Sequence, residues 1–277
     1  PPPVVTSTSN NPPPVVTSTS NNPPPVVTST SNNPPPVVTS TSNNPINNLS
    51  SNQNNTNNEI STLNSPALWE LKPSEISTAQ GDVIVENNNK NSLTLSGSGF
   101  LKENVVSTKN LSKLTLSVWV KPDYSQGSPQ FTAISKENSF NLGIYNNIKP
   151  TRAVAFSIFD GIKWQSTNST VEIPEDWTHI VGTFDGTHIS IYVNGHKEST
   201  SPISDVPTIS VNGNLATKNV DTISSDADVV VGASLNSVRG TTYNLFSGSL
   251  EDAKIYDSLL SDSQISELYH QSIHSNN

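Results

Sequence analysis

The chain has 277 residues, 14 basic and 23 acidic, with five His, no Cys and no Met. A net charge of −9 with scattered Lys and Arg argues against nucleic acid and anionic membrane surfaces, which both select clustered cations. The lack of Cys excludes disulfides, thiolate metal sites and Cys nucleophiles.

No apolar run reaches the roughly 18 residues that a membrane-spanning helix requires. Without Met, residue 1 is not a natural start, and the chain is expected to be a piece of a longer, processed or truncated one, a boundary that would also have removed any signal peptide.

The charge begins at Glu59, so residues 1–58 carry none. The unit PPPVVTSTSNN occurs four times, at 1–11, 12–22, 23–33 and 34–44. Its Pro blocks fix φ, donate no hydrogen bond and favour an extended polyproline II path. The VVTST run between them has β-propensity but little apolar area. Ordering the backbone costs about 1–2 kcal/mol per residue, so no sheet of its own is expected there. Residues 1–44 are therefore read as a disordered or extended Pro-rich stalk, and 45–65 as an Asn/Ser-rich linker. The folded domain is expected over 66–273. Four N-x-S/T triplets, at Asn48, Asn54, Asn110 and Asn168, are glycosylation candidates.

Short apolar runs bounded by Gly, Asn, Asp and Pro then follow in order. SLTLSG (92–97), LTLSVWVKP (114–122), FTAIS (131–135), FNLGIY (140–145) and AVAFSIF (153–159) are predicted strands. So are HIVGTF (179–184), ISIYVN (189–194), VVVGAS (229–234) and EDAKIYD (251–257). Leu114, Leu116, Val118 and Val120 alternate with the period of two that puts a set on one face. Asp160-Gly161, Asp185-Gly186 and Asn194-Gly195 supply the positive φ of tight hairpin turns. At the end, SDSQISELYH (261–270) signals a helix. Ser261 is its N-cap, Gln264 completes a capping box, and Leu260 and Ile265 form the staple. Strands joined by hairpins with little helix give an all-β antiparallel sandwich.

Four segments carry a family resemblance. They are LTLSVWVKPD (114–123), IPEDWTHIVGTFDGTHISIYVNGHK (173–197), VVVGAS (229–234) and FSGSLEDAKIYDSLLSDSQISELY (246–269). In order and spacing they resemble the laminin-G-like / concanavalin A-like lectin superfamily found in prokaryotic surface proteins. The resemblance implies a jelly roll of two antiparallel sheets with a short C-terminal helix. It also implies an extracellular or cell-surface setting. The fold hosts lectins, adhesion modules and glycosidases alike.

A glycosidase of this fold needs two facing carboxylates. No E-x-D-x-x-E string is present, and Glu172, Glu175 and Asp176 sit in a loop. The reading is therefore non-catalytic. His179 is assigned to the sheet interior, and Trp119 and Trp177 to the core. Sugar binding uses aromatic platforms beside amides, which points to Trp164, to Tyr145 with Asn146 and Asn147, and to Arg239 with Tyr243. Ordinary edge packing is the competing explanation for each.

Calcium takes six to eight oxygen ligands. Among family positions Glu251 and Asp252 are candidates. The acidic segment 199–228 adds Asp226 and Asp228, beside Asp205 and Asp221. A solvated acidic loop explains them equally. Where relatives often carry Asp-Gly after the first core strand, this chain has Ser96-Gly97. The function expected is recognition of a glycan or surface protein. The alternative is a structural unit that self-associates, and a glycoside hydrolase ranks third.

Overall fold

The computed structural model describes residues 65–72, 78–86, 91–126, 130–203 and 225–274. It also describes the backbone of short strands at 4–7, 16–18, 26–29, 38–40, 208–211 and 214–217. The chain divides into two compact units, Pro1–Ile60 and Ser61–Asn277.

In the first unit each repeat contributes one strand: β1 (Val4–Ser7), β2 (Val16–Ser18), β3 (Val26–Ser29) and β4 (Val38–Ser40). The runs are extended, and they also pair, which composition alone did not suggest. β1 pairs β3 and β2 pairs β4, both parallel, with Val4 opposite Val26 and Val16 opposite Val38. Identical repeats offer identical partners in register. The flanking Pro blocks, which lack donors, keep each ladder short.

The second unit opens with β5 (Trp69–Glu70), β6 (Ala79–Gln80), β7 (Val83–Glu86), β8 (Ser92–Ser96) and β9 (Phe100–Glu103). It continues through β10 (Leu114–Pro122), β11 (Gln130–Lys136), β12 (Phe140–Tyr145), β13 (Ala153–Phe159) and β14 (Trp164–Glu172). Next come β15 (Thr178–Phe184), β16 (His188–Val193), β17 (His196–Pro202), β18 (Thr208–Val211) and β19 (Asn214–Thr217). The last strands are β20 (Val229–Val231), β21 (Ser234–Asn236), β22 (Thr241–Tyr243) and β23 (Ser247–Tyr256), followed by α1 (Asp262–His274). One sheet runs β17-β16-β15-β10-β23-β8-β7, with β5 added on β23. The other runs β14-β13-β12-β11-β20-β9-β6. All neighbours in both are antiparallel. The architecture is the antiparallel sandwich that the strand pattern predicts, in the jelly-roll form that the family resemblance implies.

The core lies between the sheets. Leu114, Leu116, Val118 and Val120 of β10 point into it, with Phe131, Phe140, Phe156 and Ile158 from the facing sheet. The other face of β10 is also covered. There α1 packs Ile265 and Leu268 on Val181, Tyr192, Tyr256 and Leu260. The capping box forms as read from sequence: Ser261 N–H donates to Gln264 Oε1 at 2.9 Å, and Gln264 N–H to Ser261 Oγ at 3.3 Å.

Three local expectations are corrected. Of the three Gly turns, only Asn194-Gly195 is a two-residue hairpin loop, with φ of 50° and 78°. Asp160 and Asp185 instead fold their carboxylates back on the following N–H groups, in longer loops. VVVGAS is not one strand: Gly232, at φ 88°, ends β20 and turns the chain into β21. The segment 199–228, read as a loop, holds the end of β17 and the β18–β19 hairpin. At the Ser96-Gly97 turn the carboxylate comes from elsewhere. Asp82 Oδ2 accepts from Ser98 Oγ at 3.0 Å and from Ser96 Oγ at 3.5 Å.

Candidate functional site: an aromatic and amide groove on the open sheet face

α1 covers the outer face of the β10 sheet. The outer face of the other sheet, over β12, β13 and β14, is open. Alternation decides what it shows. On β13, Val154, Phe156 and Ile158 face the core, leaving Ala155 and Ser157 outward. On β14 the inward set is itself polar, Gln165, Thr167 and Ser169, all buried. That leaves Trp164, Ser166 and Asn168 outward. β12 contributes Asn141 and Tyr145.

Together these residues line a hollow of about 340 Å³, walled by Asn147, Ile148, Tyr243 and Asn244. With strands about 4.8 Å apart and a rise of about 3.3 Å per residue, three strands and the run from Trp164 to Asn168 span roughly 10 by 13 Å. A second hollow of about 160 Å³ adjoins it, sharing Asn141, Trp164 and Tyr243. It extends over Ser135, Ser234 and Asn236.

The floor is fixed by its own hydrogen bonds. Tyr145 OH donates to Asn141 Oδ1 at 2.6 Å, and Asn141 Nδ2 donates to Ser234 Oγ at 2.8 Å. Ser234 Oγ lies 2.8 Å from Thr132 Oγ1, and Ser157 and Ser166 pair at 2.7 Å. Burial pushes the Tyr145 phenol above its ordinary pKa, so it stays protonated as a donor. The aromatic walls are placed from two sides. Trp164 is 45 % exposed and leans on Phe159, with ring centroids 5.4 Å apart. Tyr243 is 51 % exposed. Its strand is tied to β11 where Thr132 N–H donates to Asn244 O at 2.9 Å. The Ser237 N–H donates to Glu137 Oε2 at 2.9 Å and holds the β21–β22 hairpin beside the β11–β12 turn.

The structure therefore brings together Tyr145, Trp164 and Tyr243. It leaves out Asn146, whose Oδ1 accepts from Arg152 N–H, and Arg239, exposed on the hairpin. Asn168, noted in the sequence only as a glycosylation triplet, is a groove wall. Asn110 lies at an exposed turn with φ 55°, and Asn48 and Asn54 fall outside the described residues. Sequence reading missed Asn141, Ser157, Ser166 and Asn244. Asn141 and Ser157 are the outward members of strands whose apolar inward sets were legible, Ser166 sits on the polar strand β14, and Asn244 follows β22.

The acidic candidates are dispersed. Asp226 pairs with Lys109, Asp228 with Lys102 at 3.0 Å, and Asp252 with Lys254 at 2.8 Å. Glu251 stands opposite Trp119 across β23 and β10. Asp205 and Asp221 fall outside the described residues. Among the described residues no three His, Asp or Glu come together as a metal-holding group. Glu172 and Glu175 are occupied by Thr151 and by the Tyr124 N–H. Trp119 is buried, but Trp177 is only half-buried. A further concavity of about 560 Å³ is lined by residues 66–70, Lys72 and Glu103. Its indole, Trp69, is committed to Glu103 at 2.7 Å.

Two antiparallel sheets stacked as a sandwich, with a short C-terminal helix on one outer face, define a concanavalin A-like fold. A family model described as the concanavalin A-like lectin/glucanases superfamily, of laminin G type, matches residues 87–266. The chain belongs to that superfamily. No curated protein resembles it closely enough to count as a match. Among solved structures it is similar to domain 4 of AbnA, a GH43 extracellular arabinanase of Geobacillus stearothermophilus, in complex with arabinotriose. That likeness has 16 % identity and a TM-score of 0.50, over 69 % of this chain and 82 % of that one. It is also similar to the botulinum neurotoxin serotype G binding domain, at 19 % identity and a TM-score of 0.55. Here 76 % of this chain is covered, but only 52 % of the other. At these identities the likeness shows the fold.

Proposed function

We propose that the second unit is a non-catalytic recognition module, displayed outside the cell, that binds carbohydrate in the groove of the β12–β14 face. The observation that carries this reading is the pair of part-exposed rings, Trp164 and Tyr243, over a floor of amides and hydroxyls. A pyranose presents flat apolar faces edged with hydroxyls, and this wall and floor answer both. The chemistry supports binding over hydrolysis. Hydrolysis uses two carboxylates astride the bond. The larger hollow has none in its lining, and the smaller has Glu137 alone.

A panel of immobilised oligosaccharides, arabinotriose among them, tests the proposal, with affinities then measured by calorimetry. Trp164→Ala is expected to weaken binding by about tenfold or more, 1.4 kcal/mol being a factor of ten, with the unfolding midpoint unchanged. Binding unaffected by this variant would remove the groove from the function. This reading asks nothing of calcium, and EDTA is expected to leave binding intact in the same assay.

A second reading, as an assembly unit, rests on a different observation. The edge strand β7 exposes Ile84 by 64 % and Val85 by 39 %. Exposed apolar edges favour pairing with another chain. Self-association in sedimentation that is lost in Ile84→Lys would favour it.

A further inference from the structure

The charges around the groove say which carbohydrate it takes. None of the side chains lining the larger hollow is ionisable to a cation or a carboxylate. The smaller hollow has one of each, and both face other partners. Lys136 is buried, and its Nζ donates to Thr108 Oγ1 at 2.8 Å, a residue outside either lining. The Glu137 carboxylate accepts from Ser237 N–H. Burial, and then the charge of Lys109, also lower the Lys136 pKa, which weakens its claim to be an anion site. Outside both linings, Lys163 lies near the Asp160 carboxylate, and Arg239 is exposed at the hairpin tip. The chain as a whole carries −9. An acidic sugar entering the larger hollow would be desolvated against dipoles, with no cation in that lining to receive it.

The two hollows also share one wall. Asn141, Trp164 and Tyr243 border both, so the Trp164 indole stands between two adjoining compartments. The larger compartment, crossing three strands, exceeds a single pyranose.

We infer that the groove takes an uncharged oligosaccharide chain that occupies both hollows at once, with the Trp164 indole and the Tyr243 ring between its successive units. This rests on the proposed carbohydrate function and specifies its ligand class and subsites.

The experiment uses the full chain and calorimetry. Two ligand sets are compared: neutral arabino-, cello- and manno-oligosaccharides from mono- to hexasaccharide, and oligogalacturonates with sialyllactose. Affinity for at least one neutral series is expected to rise with length until both hollows are filled. It is expected to stay constant between low and high salt, since no ion pair is made. Trp164→Ala is expected to flatten the length dependence and cost about tenfold in affinity for the longest ligand, with the monosaccharide less affected. Tyr243→Ala, also on an exposed ring, provides a second variant if Trp164→Ala folds poorly. Preference for the acidic set, with affinity falling as salt rises and still lost in Trp164→Ala, would overturn the inference while leaving the carbohydrate function standing. Neutral binding that is independent of length would do the same. Failure of every saccharide to bind would overturn both.

Discussion

The imidazole of His179 is 1 % exposed, with Nε2 2.8 Å from Ser117 Oγ and Nδ1 without a hydrogen-bond partner. Trp119 lies 5.2 Å from it, centroid to centroid, and Tyr269 of α1 stacks on Trp119 at 5.6 Å. Burial, and then the charge of Lys254, push its pKa down to about 3. An unfolded His titrates near about 6.5. Between those values the unfolded chain holds a proton that the folded chain refuses, so stability rises with pH by about 1.4 kcal/mol per unit. This contribution is complete above the unfolded value and drains away as pH falls toward the folded one. Urea unfolding of the protein is expected to show a midpoint that declines between about pH 6 and 4. His179→Gln is expected to flatten that decline, whatever its effect at neutral pH. The carboxylates act in a lower window. Asp262, held below its usual range first by the Tyr192 hydroxyl and then by Lys197, contributes above the unfolded Asp value near about 4 and is lost as pH falls through its folded pKa. An unchanged slope in the His179 variant above pH 4 would assign the acid sensitivity elsewhere. The burial of His179 within its sheet was legible from its place after Trp177 in the family pattern. Its stacking under α1 was not, because that contact joins residues far apart in the chain.

At the scale of elements, legibility followed the chemistry of the faces. β10, β12, β13, β15 and β16 stand out in sequence because their core sets are apolar and alternate. β14 does not, since its inward Gln165, Thr167 and Ser169 are polar. Their burial is supported by hydrogen bonds such as Thr167 Oγ1 with Ser199 Oγ at 3.1 Å and Ser201 Oγ at 3.0 Å. This same strand carries Trp164, Ser166 and Asn168, so a strand that apolar alternation does not reveal supplies one side of the groove. The fold was therefore readable and the site only in fragments. α1 was the most legible element, because its signals are local. Its capping box satisfies two end groups at once, and Leu260 with Ile265 anchors its first turn. Ser261→Ala is expected to cost about 1 kcal/mol of stability through the lost N-cap. Ser261→Asp, which keeps an acceptor at the cap, is expected to restore most of it. Equal losses in both variants, measured by thermal unfolding, would show that the cap contributes little beyond the packing of Ile265 and Leu268.

For the whole molecule, the change in composition at Glu59 marks almost the same place as the division between the two compact units. The second unit holds its own means of folding. Every residue of its three described apolar clusters falls between Ala67 and Leu268. The floor and walls of the groove fall between Thr132 and Asn244. The repeats bring no charge, and their only large apolar side chains are paired valines between Pro blocks. Such a segment has little apolar area to add to another unit's core, at about 25 cal/mol per Å² buried. A chain starting at Ser61 is thus expected to unfold in one transition with the midpoint of the full chain, and to bind the same oligosaccharide with the same affinity. Calorimetry on both proteins checks this. A midpoint lower by more than about 4 °C would correspond to roughly 1 kcal/mol in a domain of this size and would make the repeats part of its stability. An unchanged midpoint with weakened binding would instead place part of the ligand's contact on the repeats. An affinity preserved at a monovalent ligand but lost on a ligand-coated surface would assign them the role of a spacer, acting through reach rather than contact.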